Sequence, residues 1–295
     1  MNIVMTGATT GIGAAAAKRL AGPGVRLITG ARSGKGPAGS EVLPLDLASL
    51  ASVRSFASAV TAALGEDGID ALVLNAGGQR PDVAARSADG FELTFATNHL
   101  AHYLLLRLLA TRLNPGARVV ITSSGTHDPE EKTGVPPPRH ADAMRLARPD
   151  SDPELSANPV TAGMRAYSTS KLANLMTALV FAGSAEARER SLIVTAYDPG
   201  LTPGTGLVRD QMWVVRTLVW PLLPLLQPFR SGMNSLDAAG RGLADLATGA
   251  VPPPGRVYGS LRKGRLTWPD PSELARDAAA AAKLWDDSAV LTGLA

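Results

Sequence analysis

The chain has 295 residues, 45% hydrophobic, 19% charged and 4% aromatic, and its 29 Lys and Arg against 26 Asp and Glu leave a net charge of +3. It contains no cysteine, which excludes disulfide frameworks, thiolate metal sites and cysteine nucleophiles together. The basic residues are scattered rather than clustered, so no nucleic-acid partner is expected.

Met1 leads straight into an apolar run, without the basic stretch, apolar core and cleavage site of a secretory signal. The longest apolar stretch, Trp213 to Phe229, is broken by Arg216, Pro221, Pro224 and Pro228 and falls short of the roughly 20 residues that a membrane span needs. The expectation is a cytoplasmic globular enzyme or binding protein without membrane contact.

Short apolar runs alternate with segments of helical period, the rhythm of βαβ units on a parallel sheet. Strands are predicted at Asn2–Thr6, Val25–Thr29, Glu41–Leu45, Ala71–Leu74, Arg118–Thr122, Leu192–Tyr197 and Arg256–Tyr258. Helices are predicted at Ile12–Ala21, Ser49–Leu64, Phe91–Leu113, Ala166–Ala182 and Leu236–Thr248, and a last one from about Ser272 to Asp287. Asp46 and Ser49 are the cap candidates for the second helix. Two stretches interrupt this rhythm: His127 to Met164, with Pro136-Pro137-Pro138 inside it, and the Gly/Pro-punctuated Thr202 to Phe229. Long irregular loops in a compact fold are usually functional. The chain reads as a single domain, 1–295, with excursions near 127–164 and 202–229.

Thr6-Gly7-Ala8-Thr9-Thr10-Gly11-Ile12-Gly13 follows the first strand and opens an Ala-rich helix. Glycines there allow a tight turn and close approach of backbone to a pyrophosphate, which the helix N-terminus attracts with free N–H groups. A ligand-free tight turn is the alternative, and the strand–turn–helix context argues against it. The T-G-x-x-x-G-x-G spacing resembles that of the short-chain dehydrogenase/reductase family. Tyr258-Gly259, Leu284-Trp285-Asp286-Asp287-Ser288 and the runs TNHLAHYLL, SSGTH and PGTGLVRD are similar to its retinol-dehydrogenase-like and protochlorophyllide-reductase-like branch.

The resemblance implies an α/β fold of Rossmann type: a doubly wound sheet of seven parallel strands with helices on both faces, binding a dinucleotide. Thr6, Gly7, Thr9, Thr10, Gly11, Ile12 and Gly13 would cradle it. Beyond the second strand, where an NAD enzyme places an acid, the chain has Arg32-Ser33. A guanidinium fork and a hydroxyl suit a 2′-phosphate, so NADP is the expected cofactor, with a solvated surface Arg as the alternative. Asp46-Leu47 match the family's adenine contact, and Asn75-Ala76-Gly77 match its adenosine-side tripeptide. Pro199-Gly200 match its turn beside the nicotinamide, with Thr202 or Thr205 as the next contact.

Tyr167 and Lys171 stand four residues apart on a predicted helix, so phenol and ammonium share a face. A neighbouring cation favours phenolate and would make Tyr167 a usable acid or base. Ser124 ends the fifth strand, where ligand crevices of such sheets lie, with Ser123 as the alternative. The family pattern gives Ser124 the substrate oxygen and gives Asn98 a water that leads to Lys171. His99 and His102 read as packing or surface residues, and no metal is expected. Between Ser124 and Tyr167 the chain is much longer than in compact family members, which implies a lid or pocket wall.

The implied activity is hydride transfer between NADP(H) and a small carbonyl or alcohol substrate, with Tyr167 as general acid or base. The alternatives are C=C reduction, a biosynthetic tailoring step, or a non-catalytic NADP-binding sensor. The long helices Phe91–Leu113 and Ala166–Ala182 occupy positions that family members use for dimer bundles, which implies a homo-oligomer.

Overall fold

The computed structural model describes residues 1–203 and 233–294. Beyond Pro203 the expected excursion near 202–229, the stretch Trp213 to Phe229 and Thr205 lie outside the described residues. In chain order the elements are β1 (Asn2–Thr6), α1 (Gly11–Leu20), β2 (Arg26–Ala31), β3 (Ser40–Pro44), α2 (Leu50–Leu64), β4 (Ile69–Leu74), α3 (Leu93–Phe95) and α4 (Ala101–Leu109). They continue with β5 (Leu113–Thr122), α5 (Ala143–Ala147), α6 (Pro159–Ala182), α7 (Ala185–Glu189), β6 (Ile193–Asp198), α8 (Leu236–Thr248), β7 (Tyr258–Arg262), β8 (Arg265–Thr267) and α9 (Ala278–Thr292).

The strands form one sheet in the order β3-β2-β1-β4-β5-β6-β7-β8. The first seven run parallel, as expected, and β8 adds an antiparallel edge to β7, with Ser260 opposite Thr267. Three-residue β8 alternates no apolar pattern of its own (Arg265-Leu266-Thr267), which is why the sequence reading passes over it. Inner strands of a parallel sheet are covered on both sides and so read as unbroken apolar runs; Ile3, Val4 and Met5 of β1 are all fully buried. On one face lie α1 and α8, with Ala16, Ala17 and Leu20 against Ala239 and Leu243. Small side chains make that approach close: a Cβ on Gly240 would come within 2.4 Å of the Ala15 Cβ. On the other face Phe56, Leu104, Leu175 and Leu284 of α2, α4, α6 and α9 share one core, each such burial contributing roughly 1.5–3 kcal/mol.

Several elements differ from expectation: β7 is Tyr258–Arg262 where Arg256–Tyr258 was expected, and α9 is Ala278–Thr292 where a helix from about Ser272 to Asp287 was expected. The helix predicted over Phe91–Leu113 is interrupted by a π-type turn at Ala96–Leu100 between α3 and α4; it ends in a 3-10 turn at Ala110–Arg112, and Leu113 already opens β5. α6 begins at Pro159, with Asn158 Oδ1 accepting from the Thr161 amide at 3.0 Å, so the irregular insertion is shorter than 127–164. Pro at the first helical position is compatible with a helix start.

The insertion is ordered around a half-buried charge cluster: Asp152 faces His140 at 3.3 Å, Arg139 at 3.8 Å and Arg145 at 4.0 Å. It docks on α6 where Pro136 O accepts from Ser168 Oγ at 2.6 Å and Pro137 O from Arg165 Nε at 3.3 Å. α9 packs against both α4 and α6, with Trp285 edge-on to Tyr103 and stacked over Phe181. A dimer bundle through α4 and α6 would therefore have to share them with α9 of the same chain.

Candidate functional site

The order of the sheet reverses between β1 and β4, and ligands of such sheets lie beyond the strand ends at that reversal. The glycine-rich turn sits there. Gly7 and Gly11 have φ of +70° and +58°, a region that suits glycine. A Cβ on Gly7 would be 2.6 Å from Ala76 Cα, and one on Gly13 only 1.8 Å from Gly7 O. Thr10, the N-cap of α1, makes no side-chain cap bond, so the first-turn amides remain available to an anion. Thr9 and Thr10 are exposed beside them.

Thr6 plays a different part. A hydroxyl has one hydrogen and two lone pairs. Thr6 Oγ1 accepts from the amides of Asn75 at 3.0 Å and Ala76 at 3.1 Å. Its own hydrogen therefore goes to His102 Nε2, 2.9 Å away, and His102 keeps its proton on Nδ1, donated to the Asn98 carbonyl at 2.9 Å. Burial, helped by the Lys171 charge, holds His102 down to about 4, so it is the neutral tautomer that joins the strand end, the 75–77 turn and the π-type turn. His102 is thus neither a surface nor a mere packing residue, and its four-residue spacing from Asn98 is the local trace of this role in the sequence. His99, pushed down to about 3 by burial, lies 2.9 Å from Ser288 of α9 and serves packing.

Asn98 stands in the π-type turn, a geometry common at functional sites. Its Oδ1 accepts from the Gly78 amide, and its Nδ2 donates to Gly78 O and Ser170 Oγ, all at 2.9 Å. Asn75 Nδ2 donates to Gly7 O at 3.2 Å and its Oδ1 accepts from Thr122 Oγ1 at 3.2 Å. These two side chains tie the glycine-rich turn, the 75–78 loop and α6 into one frame.

Tyr167 and Lys171 face this frame from α6, both buried. Lys171 Nζ donates to Thr122 O at 3.1 Å and lies so near Gly77 that a Cβ there would be 3.1 Å from it. Only one of its N–H donors has a partner among the described residues, and burial holds the ammonium down to about 8. The phenol behaves opposite to expectation. Lys171 Nζ is 5.8 Å from the ring centroid, and burial pushes Tyr167 up to about 12, opposed by a hydrogen bond from Ser124 and reinforced by the Asp198 charge. Ser123 and Ser124 separate cleanly. Ser123 is buried and donates to Lys171 O at 2.8 Å, whereas half-buried Ser124 meets the phenol.

Gly200 has φ +65°, and a Cβ there would lie 2.6 Å from Asn234 Nδ2. Asn234 was not foreseen; its Nδ2 donates to Pro199 O at 2.9 Å and Leu261 O at 2.8 Å, clamping the turn to β7. Thr202 is buried, and its hydroxyl lies 3.2 Å from the carbonyls of Pro199 and Gly200.

At the opposite end, Arg32 and Ser33 are exposed after β2. Ser33 borders an open cleft of about 610 Å³ lined also by Thr9, Ala14, Lys18, Lys35 and Gly36, among others, and Arg32 directly precedes it in the chain. Lys18 and Lys35 are additional cations that the sequence reading did not single out. Asp46 is exposed; its Oδ1 accepts from the Ala48 amide at 3.1 Å, while Ser49 caps α2. Leu47 is half-buried beside it. Bare glycine backbone, uncapped amides, an underused buried ammonium and a basic cleft together fit a phosphorylated dinucleotide.

The comparisons agree with this geometry. Residues 1–134 match the family model for short chain dehydrogenase. Protochlorophyllide reductase A, chloroplastic, of Hordeum vulgare is 33% identical over 99% of this chain and 80% of its own length. A crystal structure of a putative uncharacterized protein from Mycobacterium paratuberculosis is 30% identical, with a TM-score of 0.69, covering 99% of this chain and 93% of its own. NADPH-bound carbonyl reductase from chicken fatty liver shares the fold, at 16% identity and a TM-score of 0.60 over 90% of this chain and 93% of its own. Among the described residues no helix is long and apolar enough to cross a membrane. The chain belongs to the short-chain dehydrogenase family, in its protochlorophyllide-reductase-like branch, as an oxidoreductase with an NAD(P)-type cofactor and a small-molecule substrate.

Proposed function

We propose that this chain is a single-domain, NADP(H)-dependent oxidoreductase in which Tyr167 gives a proton to, or takes one from, a carbonyl or alcohol oxygen. The observation that carries this reading is the meeting of the Tyr167 phenol with the Ser124 hydroxyl beside a buried, underused Lys171 ammonium. When bound, the nicotinamide supplies or accepts the hydride. Glycines 7, 11 and 13 and the first-turn amides of α1 hold the pyrophosphate. Arg32 and Ser33, with Lys18 and Lys35 nearby, favour a 2′-phosphate. Asp46, Leu47 and Asn75 to Gly77 line the adenosine side, and Pro199, Gly200 and Thr202 border the nicotinamide.

Ser124 orients the reacting oxygen as charge develops on it. Tyr167, raised by burial, is the protonated form at neutral pH and thus ready to donate. Lys171 would hold the cofactor ribose with its remaining N–H donors, and its positive charge favours the ionised phenol and so opposes the effect of burial on Tyr167. Asn98 holds the helix turn through which water reaches Lys171. The insertion docked on Ser168 forms a wall of the cleft beside Tyr167.

A second reading, reduction of a C=C bond, is favoured by the full-length likeness to proteins named protochlorophyllide reductases. In it Tyr167 protonates carbon in place of oxygen. Incubating the protein with NADPH and panels of carbonyls, enones and tetrapyrroles, with product identification, separates the two. NADPH consumed with an alcohol formed supports the first; a saturated C–C product supports the second. NADPH binding without consumption across all panels contradicts both.

A further inference from the structure

One buried imidazole has no part in the mechanism above. His127 is 1% exposed and ends the short 3-10 turn Gly125–His127 that follows Ser124. Its ring bridges two distant segments. Nε2 lies 3.4 Å from the Ser272 amide, and an amide nitrogen can only donate, so Nε2 is the accepting nitrogen. The ring proton therefore sits on Nδ1 and is donated to the Ser124 carbonyl at 2.7 Å. Burial lowers the proton affinity of His127, in keeping with a neutral ring. Tyr258 of β7 stands edge-on to it, with ring centroids 5.1 Å apart. The Tyr258 hydroxyl in turn donates to Asp198 Oδ2 at 3.2 Å, which Arg262 Nη1 reaches at 2.9 Å.

The two neighbouring serines are fixed in different ways. Ser123 still belongs to the sheet: its amide donates to Tyr197 O at 2.7 Å and its hydroxyl to Lys171 O at 2.8 Å. Ser124 lies one step further out. Its carbonyl accepts from the His127 ring and, at 3.3 Å, from the His127 amide, while its hydroxyl accepts from the Thr126 amide at 3.3 Å. Of these three bonds the ring's is the shortest, and it is the one that ties the turn to a segment 145 residues beyond His127.

We propose, resting on the reading of Ser124 as the residue that orients the reacting oxygen, that His127 is a positioning residue for it: the ring pins the Ser124 carbonyl, and the Ser272 amide fixes the tautomer that can do so. The bond to one ring nitrogen decides which nitrogen carries the proton. With its backbone held, the Ser124 hydroxyl keeps a single torsion, χ1, which the Thr126 amide restrains. Packing against Tyr258 alone would require neither ring nitrogen to be placed.

Two substitutions in the full-length chain separate the roles. Asn offers its Nδ2 where His offers Nδ1, so His127→Asn keeps the donor to Ser124; His127→Gln keeps an acceptor for Ser272 and gives that donor up. The Thr126 amide reports the Ser124 hydroxyl, and its hydrogen exchange should quicken roughly tenfold in His127→Gln, the worth of one buried hydrogen bond. Amides of β5 and β6 should keep their wild-type rates. His127→Asn should restore slow Thr126 exchange, although its smaller side chain leaves the larger void beside Tyr258. With NADPH and the carbonyl panels, His127→Gln should lower kcat roughly ten- to a hundredfold at unchanged KM, and should have no further effect in a Ser124→Ala background. Asn no better than Gln in exchange and turnover, as packing alone demands, would overturn the proposal. So would a His127 proton found on Nε2 in the imidazole ¹⁵N spectrum of the wild type, which needs no variant to fold. Exchange and tautomer need no substrate, so full turnover by Ser124→Ala would defeat the oxygen-orienting reading while leaving the fastening of the turn to be read by itself.

Discussion

Replacing Thr6 by Val probes the hub under the dinucleotide turn. The substitution preserves shape and branching but removes the one atom that accepts from the Asn75 and Ala76 amides and donates to His102. Thr6 and His102 are buried, at 0% and 1% exposure, so water cannot readily take over the lost bonds. Each unsatisfied buried group costs about 1–3 kcal/mol, so three of them give a loss on the order of 3–9 kcal/mol. That is a large part of the roughly 5–15 kcal/mol by which domains are stable, and at about 2–4 °C per kcal/mol it lowers Tm by on the order of 10 °C. Urea unfolding followed by tryptophan fluorescence reads it as a lower midpoint at unchanged slope. Thr6→Ser, which keeps the hydroxyl, should lose no more than about 1 kcal/mol, the worth of the missing methyl. A Thr6→Val midpoint equal to that of Thr6→Ser would refute the bonding scheme and the His102 tautomer inferred from it.

Further outcomes follow from the same site. Lys171→Met should stabilise the fold at pH 7 by about 1–3 kcal/mol while abolishing turnover, because a buried ammonium with one partner is removed. The unfolded chain binds more protons between about 8 and the ordinary 10.5, so wild-type stability rises with pH across that window and the gap narrows; a variant less stable than wild type at pH 7 contradicts this. For His102, lowered from 6.5 to about 4, stability is fully present above pH 6.5 and declines as pH falls toward 4. His102→Gln should flatten that acid limb in urea midpoints, and an unchanged limb would count against it. Arg32→Asp should cut the NADPH-over-NADH binding preference by roughly ten- to a hundredfold, the worth of a charge-assisted contact. Fluorescence titration checks it, and a constant ratio removes Arg32 from the phosphate.

The nucleotide end was legible because local chemistry dictates it: the Thr6–Gly13 turn needs glycine for backbone reasons alone, and β1 and α1 flank it almost as read. Tyr167 and Lys171 were legible for the same reason, since helical spacing places them on one face. What escaped depends on distant partners. No local signal joins His102 to Thr6, 96 residues away, or Asp198 to Arg262, 64 residues away. The start of α6 was obscured because Asn158-Pro159 read as part of a Pro-rich loop, although the same pair is a helix cap and first position. The phenol's direction was misjudged because burial, a tertiary property, outweighs the neighbouring ammonium.

The central claim is that Tyr167 moves the proton while other residues hold the cofactor. The most direct measurement is turnover of Tyr167→Phe with NADPH and a substrate from the panels, alongside NADPH affinity by fluorescence. General acid catalysis accounts for roughly 10²–10⁴-fold in rate, so turnover should fall at least that far while NADPH affinity stays within about twofold. Retained wild-type turnover at unchanged affinity would contradict the account.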